Sequence, residues 1–381
     1  MDKSSTVKIG VIGCGQRLRT LCSHLLHYET VEIVSLYDPD QAQMKRFIKD
    51  CGITRPVRLC ESWQQLLENP NIGWIYIGSP NSLHYEQARA ALQAGKDVFL
   101  EKPLATRVDD CLDLLRLRQK TGHRIITGFV LRYSPLYRAA KRLLKEKRFG
   151  PILTIQANEN ISYSHAAYIM RGWRRMIDIA GPHILEKCIH DIDIMQWMSE
   201  SRFEKITAVG DRSIFSSAHS GLYPQEILAA WEEKGNLDSS DPFSDEQITI
   251  EDHLQLQAVC ENGVKAQFTA VAGSAMPERR LSITCVGGSI VAELYSGTVR
   301  YRTIEMDHEE QLRWFEGGLH GGGDGVLAGE LEAVMCSGTF PAVDLMEGIW
   351  ANIAALAADE ARRTREWIDL RPYWRKADAQ P

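Results

Sequence analysis

The sequence has no apolar run near the ~18–20 residues that cross a bilayer as a helix, so a membrane-spanning helix is not expected. Its opening, MDKSSTVK, lacks the apolar centre of a secretion signal, and the expectation is a cytoplasmic protein without a membrane partner. Basic blocks are missing too. With 44 Lys and Arg against 50 Asp and Glu the net charge is −6, which argues against a nucleic-acid partner. The nine cysteines include no CxxC pair, so neither a disulfide framework nor a structural zinc site is indicated. An odd number of scattered thiols suits a reducing compartment. No internal repeat or low-complexity tract is found.

What remains is a balance of 44% apolar and 25% charged residues, that of a globular protein with a core. At roughly 100–200 residues per domain, 381 residues predict two. Residues 1–126 alternate short apolar runs with helical patterns. VKIGVIG is followed by Leu18, Leu21, Cys22, Leu25 and Leu26 at helical spacing. VEIVSLYD precedes a pattern with Met44, Phe47, Ile48 and Cys51 on one face, and IGWIYIGSP, KDVFLEKP and RIITGFVLRY continue the alternation. Continuous apolar strands belong to a parallel sheet covered by helices on both faces, so the fold class is α/β with a doubly wound Rossmann-type domain first.

Residues 127–381 have another texture. ILTIQANE, KITAVGD, ITIEDHLQLQAV, VKAQFTAVAG, RRLSITCVGG and SIVAELY are longer, several alternating polar with apolar, and ENG between two of them signals a hairpin. They predict an α+β domain with a large, mainly antiparallel, open-faced sheet. Residues 211–247, rich in Ser, Pro, Gly and acids, read as a long loop able to order over a site or a neighbouring subunit. The last helices, around 324–337 and 345–368, are expected to pack on this second domain.

Three stretches carry chemistry. The first strand ends in Gly13-Cys14-Gly15, with Leu18 where the third glycine of GxGxxG would stand. Two glycines permit the tight turn and bring backbone N–H groups to a pyrophosphate at a helix N-terminus. Asp38 ends the second strand, about 20 residues on, where an acid accepts from an adenosine ribose. The competing reading is a generic turn, with Asp38 capping the helix after Pro39.

The second stretch is Phe99-Leu100-Glu101-Lys102-Pro103-Leu104, which ends an apolar strand with an acid, a base and a proline. A turn accounts for the proline, and a lone lysine there is ordinarily a solvated surface charge.

The third is GPHILEKCIHDIDIMQWM, a helix starting at Gly181-Pro182. Ile184, Leu185, Cys188, Ile189, Ile192 and Met195 form its apolar stripe; His183, Glu186, His190, Asp193 and Trp197 fall together on the other side. That row serves acid–base chemistry or is a solvated face, and spacing does not choose. It reproduces neither HExxH nor HxxEH and has no cysteine partner nearby, so no metal is expected. His320 and Asp324 in LHGGGD lie in a glycine-rich stretch that lets backbone approach a ligand or merely links to the next helix. Trp173 in RGWRR is either an apolar wall for a ligand or core.

GVIGCG, IYIGSPNSLHYEQARAALQAGKDVFLEKPLA, GFVLRYSPLYRAAKRLL and LEKCIHDIDIMQWM, in this order and spacing, resemble the glucose-fructose oxidoreductase, inositol dehydrogenase and MocA family over nearly the whole chain. The resemblance implies an oxidoreductase moving a hydride between a nicotinamide cofactor and a secondary hydroxyl of a sugar, polyol or glycoside. It implies Lys102 at the nicotinamide end, against the reacting oxygen. It implies cofactor contacts from Gly13, Gly15, Gln16, Arg17, Asp38, Ser79, Pro80, Asn81, His84, Glu101, Lys102 and Arg132. A capping role for Asn81 or Ser82 is the competing reading. The family's aspartate and acid–base histidine, four apart, match Glu186 and His190, while Trp173, His183, Asp193 and His320 are expected around the substrate. Glutamate in place of aspartate and Gly181-Pro182-His183 in place of a glycine-rich approach alter that floor, so the substrate is not inherited. NAD is expected over NADP because Asp38 would repel a 2′-phosphate. Two alternatives stand beside this reading: an NAD-assisted, redox-neutral glycoside hydrolase or lyase, and a non-catalytic sugar sensor. Relatives assemble through the second-domain sheet, so a homodimer or homotetramer is expected.

Overall fold

The structure, a computed structural model, describes residues 6–224, 241–314, 320–339, 341 and 343–379. The chain forms two compact units. One comprises Met1–Ser134, Gly322–Ile349 and Lys376–Pro381; the other comprises Pro135–Gly321 and Trp350–Arg375.

The first unit holds a six-stranded sheet in the order β3-β2-β1-β4-β5-β6, every pair parallel. Its strands are Val7–Ile12 (β1), Val31–Tyr37 (β2), Arg58–Leu59 (β3), Trp74–Ile77 (β4), Asp97–Leu100 (β5) and Ile125–Thr127 (β6). Ile9, Val11, Ile75, Ile77, Val98 and Leu100 are fully buried, each contributing roughly 1.5–3 kcal/mol by leaving water. Helices Gln16–Leu25 (α1), Gln41–Asp50 (α2), Gln64–Leu67 (α3), Asn81–Gln93 (α4) and Val108–Thr121 (α5) link the strands. The strand order is that of the dinucleotide-binding fold, whose ligands lie at the carboxyl ends of the strands where the order reverses.

One packing expectation is overturned. The helix Gly323–Ser337 belongs to the first unit, against α1. Its Gly329 has no room for a Cβ, which would lie 2.7 Å from the Tyr28 hydroxyl. Thr30 donates to Glu332 at 2.7 Å, and an Arg124 Nη1–H donates to the Val334 carbonyl at 3.0 Å. These partners lie some three hundred or two hundred residues apart, a separation that periodicity does not carry.

The second unit holds a nine-stranded sheet in the order β14-β13-β12-β11-β7-β10-β9-β8-β15. Its strands are Ile152–Ser162 (β7), Phe203–Asp211 (β8), His253–Cys260 (β9), Lys265–Ser274 (β10), Glu278–Cys285 (β11), Gly288–Glu293 (β12), Thr298–Thr303 (β13), Glu310–Arg313 (β14) and Ile368–Asp369 (β15). Only β7 with β10 is parallel; the other pairs are antiparallel. Burial alternates along β9, β10 and β11, one face inward and the other polar and open. The expected hairpin joins β9 to β10, and Gly263 takes φ +84° at its turn. The strand expected from Ile248 begins instead at His253. Asp252 is fully buried and accepts from the N–H groups of Ser213, Ile214 and Phe215, which draws the preceding residues out of the ladder. Within the predicted 211–247 loop, Ser217–Leu222 is a 3-10 helix; residues 225–240 lie outside the described residues.

The expected continuous helix after Gly181-Pro182 is also corrected. After helices Pro135–Leu144 (α6), Tyr163–Ile169 (α7) and Ile177–Ala180 (α8), it is two helices, His183–Glu186 (α9) and Ile189–Ser199 (α10), parted at Lys187-Cys188. The row read as acid–base or solvated is buried: His183 is 2% exposed, Glu186 6%, His190 5% and Asp193 1%. No solvated face exists there; α10 packs against β7 with nearly every residue inside.

Candidate functional site

In the first unit the glycine turn is built by close approach. Gly13 takes φ +86°, and a Cβ on it would stand 2.7 Å from the carbonyl carbon and oxygen of Gly78 and from the Ser79 nitrogen. Gly15 differs: it precedes α1 with φ −66°, and nothing lies within 4 Å of the place its Cβ would take. That open cradle at the start of a ten-residue helix is where a pyrophosphate fits. The missing third glycine is compensated from another strand. Leu18 is buried because Gly78 leaves it space; a Cβ on Gly78 would lie 2.6 Å from Leu18 Cγ.

Asp38 faces this turn. Its Oδ2 accepts from the Cys14 N–H at 2.8 Å and its Oδ1 from the Asp40 N–H at 2.9 Å. Burial raises its carboxyl above the ordinary value, and the two backbone bonds oppose that. Asp40, not Asp38, caps α2, accepting from the Ala42 N–H at 2.8 Å. The cap of α2 and the acid bonded across the turn are therefore different residues. Gln16 is exposed on the first turn of α1.

Arg17 donates from Nε to Glu101 at 2.7 Å and from Nη1 to Asp324, while its Nη2 is buried with no hydrogen-bond partner among the described residues. Burial works against the guanidinium charge, and the two carboxylates more than restore it. Gly128 makes room for Glu101, since a Cβ there would meet its carboxylate at 2.6 Å. Lys102 follows directly, in the loop after β5, with its N–H donating to Glu101 Oε2 at 3.2 Å. His84 joins the two strand ends, one ring nitrogen 2.7 Å from the Pro103 carbonyl and the other 2.9 Å from that of Ser79. Burial pushes its imidazole below the usual range, so the neutral ring donates to only one carbonyl at a time. Ser79 donates to Gln87 at 2.7 Å. Pro80 is the N-cap of α4 and makes no side-chain cap; Asn81 is the first helical residue and is buried, so neither Asn81 nor Ser82 is the cap. Arg132 is buried in the 3-10 turn Val130–Tyr133 and lies 3.9 Å from Glu347.

In the second unit, His190 and His320 bring their ring centroids within 6.2 Å. Asp324, from the same glycine-rich stretch as His320, lies in the first unit on Arg17. The two loop candidates thus have different partners. Glu186 pairs with Arg174 Nε at 3.3 Å, and that guanidinium lies over the rings of Trp173 at 4.3 Å and Tyr168 at 4.5 Å. Trp173 is therefore a partly exposed stacking wall rather than core. Asp193 is buried within α10.

Five functional candidates escaped the sequence reading. Glu159 on β7 lies 3.2 Å from Lys187 Nζ and 2.9 Å from Arg279 Nη1, and Arg279 also grips Asp191 with two bonds at 3.0 and 2.6 Å. Burial raises Glu159, but Arg279 and Lys187 outweigh it and leave its carboxyl below the ordinary value; burial pushes Asp191 up to about 7 against the pull of Arg279. His165 follows β7 on helix Tyr163–Ile169 (α7) and carries no spacing signal. Lys187 did carry one, lying four residues after His183 and three before His190.

A parallel sheet in this order, a glycine turn and an acid bonded across it define a dinucleotide-binding protein, here carrying a second α+β unit. The chain belongs to the GFO/IDH/MocA oxidoreductase family: residues 7–129 match its NAD-binding Rossmann domain and residues 137–291 its C-terminal domain. It is 28% identical over 265 residues to inositol 2-dehydrogenase of Ralstonia nicotianae, covering 68% of this chain and 73% of that one. It is 25% identical over 217 residues to 2,7-anhydro-N-acetylneuraminate hydratase of Escherichia coli, covering 56% and 54%. The match spans about half the length of several curated relatives, 50% and 56% in two cases. A levoglucosan dehydrogenase solved with NADH and levoglucosan shares the fold, with a TM-score of 0.80 at 17% identity, covering 95% of this chain and 99% of that one. Among the described residues no helix is long and apolar enough to cross a membrane.

Proposed function

We propose that the protein is an NAD-dependent oxidoreductase acting on a secondary hydroxyl of a sugar, polyol or glycoside. The observation that carries it is the first unit's turn: an open cradle at Gly15, a buried Arg17 Nη2 with no hydrogen-bond partner among the described residues, and Asp38 bonded across the turn to the Cys14 N–H. These features fit NAD, with Gly13, Gly15 and Arg17 toward the pyrophosphate and Asp38 toward the adenosine ribose. Asp38 already accepts two backbone bonds, and its charge repels a 2′-phosphate, which favours NAD over NADP. When bound, NAD supplies the hydride acceptor. Lys102, at the carboxyl end of the sheet, stabilises the developing alkoxide. The His190 imidazole takes the hydroxyl proton. Glu186, neutralised by Arg174, positions the helix turn before His190 instead of acting as a lone base. Ser79, Pro80, Asn81, His84, Glu101 and Arg132 shape the cofactor's surroundings, and Trp173, His183, Asp193 and His320 those of the substrate. The open polar face of the nine-stranded sheet, with Gln156, Asn158, Gln267 and Arg280 around a shallow cavity, joins copies into a dimer or tetramer.

The test is a screen of sugars, polyols and glycosides that follows nicotinamide reduction and product mass together. Reduction of NAD with a product two hydrogens lighter supports the proposal; no reduction with any of them sinks it. The curated hydratase relative favours one second reading, net redox-neutral chemistry on a sugar derivative. It predicts altered product mass with no net change in nicotinamide.

A further inference from the structure

We propose that the substrate carries an anionic group, a carboxylate or a phosphate, and that Lys187 with His165 and His183 recognises it; this rests on the oxidoreductase reading above. Two ion pairs near the break between α9 and α10 hold the cation more exposed than its carboxylate, while Arg279 is buried. Lys187 sits in the break between α9 and α10, where its side chain is 17% exposed, and the Glu159 carboxylate behind it is 1% exposed. Glu159 is shared with Arg279 at 2.9 Å, so it orients the ammonium without spending its whole charge on it. Asp191, the other carboxylate of the network, is held in two bonds by Arg279 and is also buried. Glu186 repeats the pattern: its side chain is 8% exposed and its partner Arg174 is 26% exposed.

A ligand that reaches Lys187 meets a partly exposed ammonium whose carboxylate partner, Glu159, is buried. Two imidazoles add to the field. His183 is 2% exposed, and its Nδ1 has no hydrogen-bond partner among the described residues. His165 is pushed well below the usual histidine range, by burial first and then by Lys187, Arg279, His183 and His320, all acting in one direction. A neutral polyol needs donors and acceptors in equal measure. A surface that disfavours an added positive charge at His165 and leaves an ammonium partly exposed is matched to an anion instead.

The test is calorimetric binding to the NAD-loaded protein of D-glucuronate, D-galacturonate, D-gluconate and D-glucose 6-phosphate, against D-glucose, D-galactose and D-glucitol. At least one acid or phosphate should bind tenfold or more tightly than its neutral counterpart, and the carboxylate and phosphate arms identify which anion is meant. Lys187→Met should reduce that preference to within about threefold, Lys187→Arg should keep most of it, and raised salt should weaken it. Should Lys187→Met fail to fold, His165→Asn provides the second variant and should also lower the preference. Equal binding of acid and neutral partner, binding of neither, or a preference untouched by both Lys187→Met and His165→Asn overturns the proposal. Because binding is read without turnover, a missing anion preference leaves the oxidoreductase reading standing, and that reading fails only in the separate screen of nicotinamide reduction.

Discussion

Two glycines one residue apart should respond to alanine in opposite ways. At Gly13 the backbone is left-handed, φ +86°, which costs an L-residue about 1–2 kcal/mol. The new methyl would also stand 2.7 Å from three backbone atoms of Gly78 and Ser79, and backbone yields less readily than a side-chain tip. Overpacking of this kind typically costs ~1–3 kcal/mol, so Gly13→Ala should lose about 2–5 kcal/mol. At ~2–4 °C per kcal/mol for a unit of this size, the melting temperature should fall by roughly 4–20 °C. At Gly15 the backbone is ordinary and the Cβ direction empty, so Gly15→Ala should melt within a few degrees of the parent. Its cost should fall on the cofactor: a methyl in the pyrophosphate cradle should weaken NAD at least tenfold, or about 1.4 kcal/mol. Differential scanning calorimetry of the apoprotein and NAD titration by nucleotide fluorescence separate the two effects. A Gly13→Ala protein as stable as the parent refutes the close-approach argument, and a Gly15→Ala protein that binds NAD normally places the pyrophosphate elsewhere.

Other outcomes follow from the same geometry. Asp38→Ser should narrow a tenfold or greater preference for NAD over NADP, and equal affinities in the parent would remove Asp38 from the ribose. Lys102→Met and His190→Ala should each retain NAD binding and lose ~10²–10⁴-fold in turnover on a verified substrate; changes of a few fold would move the alkoxide and proton roles to other residues. Arg279→Met leaves Glu159 and Asp191 buried with less compensation and should cost about 3–5 kcal/mol, read by chemical denaturation. His84 and His165 have folded pKa values below the ordinary 6.5, so their contribution is present above that pH and lost as pH falls below it. His84→Gln should flatten the fall in stability between about pH 7 and 5, and an unchanged slope would show that burial does not depress this ring.

The alternation of strands and helices was legible because continuous apolar runs such as IGWIYIG announce strands buried on both faces. The hairpin at Glu261-Asn262-Gly263 was legible from its turn residues alone. Leu18 at the third glycine position looked like a weakened motif, since the space it occupies is supplied by Gly78, a residue on another strand. The same limit hid Asp324 behind Arg17 and Glu159 behind Lys187: one partner in each pair lies far along the chain. The row from His183 to Asp193 was visible, but its burial was not. Helical spacing says which residues share a face, and what covers that face is decided by strands read separately. The break at Lys187 left the spacing pattern intact and so gave no warning of itself.

The helix Gly323–Ser337 has a consequence for the order in which the protein is made. The first unit opens at the N-terminus, yet α1 and β4 wait for Glu332, Val334 and Met335, with Thr30, Arg124 and Tyr76 as the groups left hanging. Synthesis at ~5–20 residues per second puts roughly 10–40 s between the emergence of Ser134 and that of this helix. During that interval the ribosome presents the parallel sheet without this helix, while Pro135–Gly321 emerges and in its turn waits for Trp350–Arg375, whose Trp374 donates to the Phe203 carbonyl. The nucleotide-binding unit is therefore completed only after most of the second unit has emerged. Expression yield should accordingly be sensitive to anything that delays the intervening segment, and a fragment ending at Ser134 should be a ward of chaperones rather than a free-standing domain.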